Sequence, residues 1–308
     1  MDISILFATR NRAAQLEQTL ASYRALDMQG LEWELLIVDN ASTDATADVI
    51  ERMRDHLPIV CSTFHGVGKN RALNEMLPQL RGSLVVFTDD DVLPEPDCIR
   101  AYIDAAQRWS DDVVFGARIE PRFPAGTPDW MQSPDFEFST TAFARYQPAA
   151  QEGPVRRHPY GPSFAVRRSA FEGMCFNEQL GPQSGSYAMG GEADFLRRLH
   201  AKGHRYIYVP QARVAHVVRP EQVHADWLLA RANKKGRGQV YLPSNKKKRR
   251  IRLAGAPLKL WLAVSRSWLR YRLATLRANE RERLQKGIAY QLRLGELQQR
   301  LKDYSSTA

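Results

Sequence analysis

The sequence predicts an α/β fold: a Rossmann-like, mostly parallel mixed sheet flanked by helices, followed by a basic helical extension. Short apolar runs that each end in a polar turn alternate with segments whose apolar residues recur at helical spacing. With 44% apolar and 25% charged residues among 308, the composition is typical of a soluble globular protein with one large domain or two ordinary ones. Strands that alternate with helices favour parallel pairing through right-handed crossovers.

The first two strand–helix units repeat one pattern. In the first, an apolar run at residues 3–8 predicts a strand, and apolar residues at helical spacing follow a polar turn. In the second, residues 33–38 predict a strand and residues 45–53 an amphipathic helix. Ser42 and Asp44 are suitable caps for that helix.

The next segments extend the same alternation. We predict a strand at residues 59–63 and a helix at 69–80, followed by a strongly apolar strand at 84–88. Three consecutive aspartates, Asp89–Asp91, end that strand, and a helix is expected at residues 96–108. Later strands are less clear from the pattern.

The positive charge is concentrated in the last ninety residues. Residues 219–308 contain 22 lysines and arginines and 6 acids, whereas residues 1–218 contain 22 basic and 28 acidic residues. A nucleic-acid-binding function would therefore depend on this tail, which lacks a zinc pattern, an aromatic platform motif and a recognised helix-turn-helix. We regard nucleic acid as a disfavoured partner.

Cysteine usage and hydropathy indicate a cytoplasmic location. The 3 cysteines have no CxxC spacing, which argues against a disulfide framework or a structural zinc. The amino end has no secretory pattern, and no run approaches the roughly 18 apolar residues that a membrane span needs.

Three polar loops are expected at one rim of the sheet. Residues 9–12, 39–44 and 89–91 each follow a predicted strand, and ligands of such sheets bind beyond the carboxyl ends of the strands. Neither GxGxxG nor a P-loop is present. Asp89 and Asp91 could hold Mg²⁺ or Mn²⁺, with substrate phosphates filling the remaining positions; a turn of solvated acids is the alternative.

Five motifs occur together within roughly residues 2–218. They lie at residues 7–12, 37–44, 87–91, 191–195 and 209–216. In order and spacing they resemble the family 2 glycosyltransferases of GT-A fold. The resemblance implies a nucleotide-sugar donor, usually a uridine diphosphate sugar, transfer with inversion, and Mg²⁺ or Mn²⁺ as cofactor.

The resemblance also implies which side chains bind the donor. An Asp39 carboxylate can accept an N–H from uracil or guanine, although an Asx turn is an alternative role for it. Lys69 could neutralise phosphate but lacks the bidentate fork of arginine. The implied nucleotide-sugar ligands are Thr9, Arg12, Asp39, Asn40, Lys69, Asn70, Asp89 and Asp90.

Metal ligands and a base are implied as well. The metal would be held by Asp91, Asp89 and His216, a residue that could instead be simply packed or at the surface. An inverting enzyme needs a base for the acceptor hydroxyl, and Glu192 matches the family's acidic position. Asp194 is the alternative base, and both acids could merely stabilise a helix amino terminus.

Three further segments are expected near the substrates. Residues 161–164 resemble the segment that closes over the donor sugar, and the glycine-rich loop 181–191 would suit a lid. Residues 121–160 show no clear period and could shape the acceptor site. We make no structural prediction for them.

The tail predicts two helices. Residues 258–276 place leucines and aromatic residues beside a cationic stripe, after the basic run 246–250, and a second helix is expected over 280–301. These features fit an anionic membrane surface, while a helical hairpin packed on the catalytic domain and a dimerising arm are alternatives. The oligomeric state is left open. The cationic stripe consists of Lys259, Arg266, Arg270, Arg277 and Arg281.

The sequence thus predicts two regions. Residues 1–218 form a GT-A catalytic domain, with a nucleotide-binding half up to about residue 110 and an acceptor-binding half after it. Residues 219–308 form the basic tail. The expected activity is transfer of a sugar to a glycan or lipid-linked acceptor, peripherally at an inner membrane. A sugar-phosphate nucleotidylyltransferase is the alternative enzyme, although its glycine-rich start is missing.

Overall fold

The computed structural model describes residues 1–183, 186–242, 251–276 and 279–306. The chain divides into two compact units. The first unit comprises Met1–Phe123, Phe138–Glu178 and Gly191–Val218, and the second comprises Pro124–Glu137, Gln179–Gly190 and Arg219–Ala308. The second unit therefore includes two segments that sequence analysis had placed in the catalytic domain.

The strands and α-helices are numbered in chain order. The strands are β1 (Ile3–Thr9), β2 (Trp33–Asp39), β3 (Ile59–Thr63), β4 (Leu84–Thr88), β5 (Val92–Pro94), β6 (Val114–Arg122), β7 (Gly153–Val155), β8 (Ser163–Arg167), β9 (Gly181–Gln183), β10 (Ser186–Ala188), β11 (Tyr206–Val217), β12 (Arg252–Leu253) and β13 (Ala256–Pro257). The helices are α1 (Ala13–Tyr23), α2 (Thr46–Met53), α3 (Lys69–Met76), α4 (Cys98–Arg108), α5 (Asp129–Gln132), α6 (Ser139–Ala142), α7 (Gly191–Ala201), α8 (Ala225–Gly238), α9 (Leu258–Ala274) and α10 (Glu280–Ser305).

The first unit contains one mixed sheet. Its strand order is β3-β2-β1-β4-β8-β6-β11-β5, and β7 pairs with β11. Strands β1 to β4 are parallel, whereas β8 runs antiparallel to both β4 and β6. The predicted α/β fold with a mixed sheet is confirmed, although its second half is more antiparallel than the apolar pattern indicated.

Burial on both faces explains why β1 lies inside the sheet. Ile3, Ile5 and Phe7 pack in one hydrophobic cluster, and Leu6 packs in another on the opposite face. Each of these side chains is completely buried. Burying one such side chain contributes about 1.5–3 kcal/mol, so a strand with apolar residues on both faces is most stable between two helical layers.

Most predicted boundaries agree with the structure to within a few residues. The predicted helix 69–80 is shorter, because α3 ends at Met76 and a 3-10 turn that contains a proline follows at Leu77–Gln79. The segment 181–191, which the sequence predicts to be a loop, differs more from its prediction. Residues on either side of its centre pair as the antiparallel strands β9 and β10, and α7 already begins at Gly191.

The second unit is mainly helical. Helices α8 and α9 both pack on α10, and both tail helices predicted from the sequence are present. The basic run 246–250 and Arg277 of the cationic stripe lie outside the described residues. A search of the described helices finds none with the length and hydropathy to cross a membrane.

Small residues allow the close approach of α8 and α10. A Cβ added to Gly236 would lie 2.0 Å from the carbonyl oxygen of Leu292, and one added to Gly295 would lie 2.1 Å from that of Asn233. Both obstacles are backbone atoms, so a local side-chain movement cannot relieve either contact. The two glycines therefore fix the spacing of this helix pair.

We expect Gly236→Ala to destabilise the protein by about 1–3 kcal/mol, the usual cost of overpacking, despite the higher helix propensity of alanine. Thermal unfolding measures the effect. Gly287→Ala is the matched control, because its Cβ would first meet the flexible side chain of Leu229 at 2.7 Å. Equal melting temperatures for Gly236→Ala and the wild type would contradict the proposed backbone contact.

Candidate functional site

Side-chain hydrogen bonds join the loops that follow β1 and β2. The Asn11 side-chain oxygen accepts from the Thr43 amide at 2.7 Å, and the Asn11 amide donates to the Ser42 hydroxyl oxygen at 2.9 Å. Asp44 accepts from the amide of Ala13 at 3.1 Å, at the start of α1. Asn11 has a φ of 51°, in the left-handed region that asparagine tolerates. Sequence analysis did not identify Asn11, since its role depends on a loop about thirty residues away.

Asp39 and Asn40 lie at the end of β2, as predicted. Both are buried, and the Oδ1 atom of Asp39 accepts from the Ser42 amide at 3.0 Å. This bond spans three residues, one more than in an Asx turn, so Asp39 stabilises the loop before α2 without forming the turn considered in the sequence analysis. The Asn40 Oδ1 atom is buried and has no hydrogen-bond partner within the described residues. An unsatisfied buried acceptor typically costs about 1–3 kcal/mol, so it marks a position where a ligand N–H would be stabilised.

Lys69 joins two of the predicted carboxylates. Its Nζ atom lies 2.5 Å from Asp89 Oδ1 and 3.0 Å from Glu192 Oε1. Burial alone would lower the pKa of Lys69, but the two carboxylates outweigh burial and raise that pKa well above its usual value. Lys69 is therefore a permanent cation that holds the end of β4 and the start of α7 together.

Close packing fixes the start of α7 beside α3. The Asn70 side chain is buried and donates to the carbonyl oxygen of Asn177 at 2.8 Å. A Cβ added to Gly191 would lie 2.4 Å from Asn70 Nδ2, so the first residue of α7 must be small. Through these contacts Asn70 holds the start of α7, the helix that carries Glu192, in place. The donor contact that the family resemblance implies for Asn70 stays a prediction.

Residues 161–163 also border this cluster. The Thr88 hydroxyl donates to the carbonyl oxygen of Pro162 at 2.7 Å. A Cβ added to Gly161 would lie 3.2 Å from Glu192 Cδ, which is tighter than ordinary contact. The segment that resembles the donor-sugar loop is therefore next to the proposed base.

Asp194 has a different environment from Glu192. Its Oδ2 atom lies 2.9 Å from Arg198 Nε, one helical turn later. Arg198 also donates to the carbonyl oxygen of Cys175 at 2.6 Å. This arrangement is that of an ion pair within one helix, whereas the ion pair of Glu192 with Lys69 links two separate helices.

Asp90 points towards the first loop. Its Oδ2 atom accepts from the Thr9 hydroxyl at 2.7 Å, and its backbone oxygen accepts from the Thr19 hydroxyl at 2.8 Å. Burial, and then the charge of Asp91, raise the pKa of Asp90 to about 6. Thr9 and Asp90 are both buried and bonded to each other, so they shape the loop. The donor contacts that the resemblance implies for both stay predictions.

Asp91, Arg12 and His216 form a second cluster. Arg12 Nη1 lies 3.7 Å from Asp91 Oδ2, and His216 Nε2 lies 3.6 Å from Asp91 Oδ1. His216 Nδ1 is 3.0 Å from the carbonyl oxygen of Phe143. Because a carbonyl only accepts, Nδ1 carries the proton and the lone pair of neutral His216 is on Nε2, facing Asp91.

This cluster fits a divalent cation. Two atoms that each bind one cation at about 2.1 Å lie about 3–4 Å apart, which agrees with the Asp91–His216 separation. The second ring nitrogen of a metal-binding histidine commonly donates to a backbone carbonyl, as His216 does. Within the described ranges no group of three His, Cys, Asp or Glu side chains converges as a metal site. Asp89, the third expected ligand, is held instead by Lys69.

Comparison with known proteins identifies the fold and family. The model of "Glycosyl transferase family 2" matches residues 4–174. A glucosyl-dolichyl phosphate glucuronosyltransferase of Haloferax volcanii is 24% identical over 237 residues, which cover 75% of this chain and 74% of that protein.

Two solved structures are similar over nearly the whole chain. The mannosyltransferase PcManGT from Pyrobaculum calidifontis in complex with GDP-Man and Mn²⁺ has a TM-score of 0.64 at 19% identity, covering 98% of this chain and 87% of that one. S. aureus TarS 1–349 in complex with UDP-GlcNAc has a TM-score of 0.54 at 16% identity, covering 98% and 92%. The fold of this chain is therefore GT-A, as predicted.

We expect Asp90→Asn to stabilise the protein at neutral pH. The folded state binds the Asp90 proton more tightly than the unfolded chain does, so ionisation of Asp90 lowers stability as the pH rises from about 4 through 6. The pKa shift limits the gain to about 3 kcal/mol, and Asn can still accept from Thr9.

Urea unfolding at pH 7.5 and pH 4, with a chelator present, measures this difference. The advantage of Asp90→Asn should be largest at pH 7.5 and small at pH 4, where wild-type Asp90 is largely protonated in the folded state. Asp104→Asn, on the outer helix α4, is the control. An Asp90→Asn effect independent of pH would contradict the burial argument.

Proposed function

The chain belongs to Glycosyl transferase family 2 and is a glycosyltransferase, and on that premise we propose that it moves a sugar from a nucleoside diphosphate sugar to an acceptor hydroxyl with inversion. One observation carries this proposal. The three aspartates after β4 connect a base cluster, through Asp89, with a cation-binding pair, through Asp91. The nucleotidylyltransferase alternative is set aside because the family match supports sugar transfer.

Arg12 and Asn40 support a nucleotide at this site. Arg12 Nη1 is buried without a hydrogen-bond partner in the described part of the chain, as is Asn40 Oδ1. The first group suits a phosphate oxygen and the second suits a ligand N–H. Similar structures hold UDP-GlcNAc or GDP-Man, and we propose UDP as the nucleotide, with Asp39 and Asn40 close to the base.

Asp91 and His216 would hold Mg²⁺ or Mn²⁺. The mannosyltransferase with a similar fold contains Mn²⁺, and the geometry of the pair fits either cation. When bound, the cation supplies charge neutralisation for the departing diphosphate. Arg12 provides further positive charge beside Asp91. We propose that Asp89 contributes to donor binding and that its ion pair with Lys69 holds its carboxylate in place.

Glu192 is the proposed base. As its oxygen attacks the anomeric carbon, the acceptor hydroxyl loses a proton, and a carboxylate on the face opposite the leaving group can accept it. Lys69 keeps Glu192 oriented, and Asn70 and Gly191 position the helix that carries it. Asp194 is already paired with Arg198.

We expect Glu192→Gln to reduce transfer by about 10²–10⁴-fold, the usual contribution of a general base. Donor affinity should stay within about twofold, because the amide keeps the shape of the side chain. Turnover is measured as release of nucleoside diphosphate, and donor binding by calorimetry. Asp194→Asn is the matched control and should retain most activity. Full turnover by Glu192→Gln with loss in Asp194→Asn would move the base to Asp194.

We expect Asp91→Asn and His216→Ala each to weaken cation-dependent donor binding by at least about tenfold, since the first removes the negative charge of a ligand and the second removes a ligand altogether. Calorimetry measures the affinity for UDP in the presence of Mn²⁺ and again in the presence of a chelator. The difference is the part of the affinity that depends on the cation. His56→Ala, at an exposed position, is the control. Affinity that is the same with Mn²⁺ and with chelator in the wild type would contradict the cation proposal.

The exposed face of α9 supports peripheral membrane association. Leu258, Leu262, Leu269, Leu273 and Leu276 recur along α9 and just beyond it, with exposed fractions from 38% to 83%. The exposed cations Lys259, Arg266 and Arg270 accompany them. Exposed leucines beside basic residues suit an anionic bilayer better than a nucleic acid, whose phosphates require no apolar face. We propose a glycan or lipid-linked acceptor, consistent with the dolichyl phosphate substrate named for the Haloferax relative.

We expect Leu269→Ser with Leu273→Ser to reduce binding to vesicles that contain phosphatidylglycerol by at least about tenfold, because burial of each leucine contributes about 1.5–3 kcal/mol. Vesicle flotation measures the bound fraction. Val67→Ser, at another exposed apolar position, is the control. Equal flotation of the double variant, the control and the wild type would contradict the membrane proposal.

A further inference from the structure

Two cations of α8 have no acidic partner among the residues that the structure describes. Arg231 and Lys234 are partly buried and lie three residues apart, on one side of the helix. Throughout the described parts of the chain, no carboxylate lies within ion-pair distance of either side chain. The Nε atom of Arg231 is also buried without a hydrogen-bond partner among those residues.

Aromatic rings hold both cations in place. The guanidinium carbon of Arg231 lies 5.3 Å from the centroid of the Trp227 ring. The Nζ atom of Lys234 lies 4.9 Å from the centroid of the Tyr187 ring. Such contacts orient a cation but leave its N–H groups unpaired, so both side chains keep donors available.

The backbone around this pair is closely packed. The Met189 amide donates to the carbonyl oxygen of Lys234 at 3.1 Å. A Cβ added to Gly238 would lie 1.8 Å from the carbonyl oxygen of Met189. Residues 187–189 are therefore fixed against α8, and Tyr187 and Lys234 belong to one rigid arrangement.

Arg231 and Lys234 bring two positive charges close together. Burial, and then the positive charge of Arg231, lower the pKa of Lys234. Two neighbouring cations that are partly removed from water repel each other, and an anion placed between them would relieve that repulsion. An arginine can bind two oxygens of a phosphate through its planar fork, while a lysine adds a point charge.

We propose that Arg231 and Lys234, supported by Trp227 and Tyr187, form a binding site for a phosphate or diphosphate group. The proposal rests on the proposed function in one respect: the ligand it suits is the phosphate of an acidic acceptor. The chemistry recognised is that of phosphate oxygens, whether they belong to a lipid headgroup or to a soluble molecule.

Calorimetry with inorganic pyrophosphate and a chelator tests the site on the full chain. Arg231→Gln and Lys234→Gln should each weaken pyrophosphate binding by at least about tenfold, because each removes a charge-assisted hydrogen bond to the phosphate. Arg283→Gln and Lys286→Gln, at exposed positions of α10, are matched controls for charge and should bind as the wild type does. Equal losses in all four variants would overturn the proposal, since net charge alone would then explain them.

Thermal unfolding keeps the proposal testable if Arg231→Gln does not fold. Lys234→Met removes a partly buried charge and should raise the melting temperature in buffer without phosphate, while the stabilisation that pyrophosphate gives the wild type should disappear. A purely structural lysine would lower the melting temperature when replaced. A Lys234→Met variant that is less stable than the wild type yet still stabilised fully by pyrophosphate would overturn the proposal.

Binding to vesicles distinguishes a lipid headgroup from a soluble molecule as the source of the phosphate. If vesicles with phosphatidic acid retain the wild type better than vesicles with phosphatidylglycerol of equal charge, and Lys234→Gln loses this preference, the phosphate belongs to a lipid monoester. Pyrophosphate binding without that preference assigns a soluble phosphate. Because these measurements use no turnover, they stand even if Glu192→Gln shows that the proposed base is wrong, and UDP binding with Mn²⁺ should be unchanged in the α8 variants.

Discussion

The site depends on how three adjacent carboxylates at the end of β4 are neutralised. Like charges held close together in a partly buried position repel strongly, so Asp89, Asp90 and Asp91 cannot share one environment. Each has a different partner. Asp89 pairs with Lys69, Asp90 accepts from Thr9 and has a raised pKa, and Asp91 faces Arg12 and His216. This separation of partners gives one short segment a link to the proposed base, an anchor for the first loop and a carboxylate beside His216 that is proposed to bind a cation.

Of these partners, Lys69 affects the most other groups, because it contacts two carboxylates. Its raised pKa means that it stays charged, so it compensates the proposed base and the end of β4 together. A lysine suits this role, because its ammonium can donate in three directions, whereas the flat guanidinium of arginine favours one carboxylate in a bidentate pair. Lys69 is therefore well suited to the observed bridge between Asp89 and Glu192.

The sequence predicted the elements whose apolar pattern is local. The strands β1 to β4 and the tail helices follow from periodicity. The roles of Glu192 and His216 were assigned from motif order and stay predictions. The partners of the three aspartates could not be predicted, because identical side chains in one turn are distinguished only by what surrounds them. His216 shows the same limit. Its proton position is set by the carbonyl of Phe143, in a segment without any periodic signal.

The two regions of the sequence differ in net charge, so each would attract anions in a different way. Residues 1–218 have more acidic than basic residues, so the diphosphate of the proposed donor would have to be attracted by local groups such as Arg12 and by the proposed cation. Local, partly buried charges are little screened by salt. The tail has 22 basic and 6 acidic residues, and its exposed charges act over about 8 Å at physiological salt. The proposed donor binding would therefore depend on fixed geometry, whereas the proposed association of the tail with an anionic surface would depend on its overall charge and on the leucines of α9.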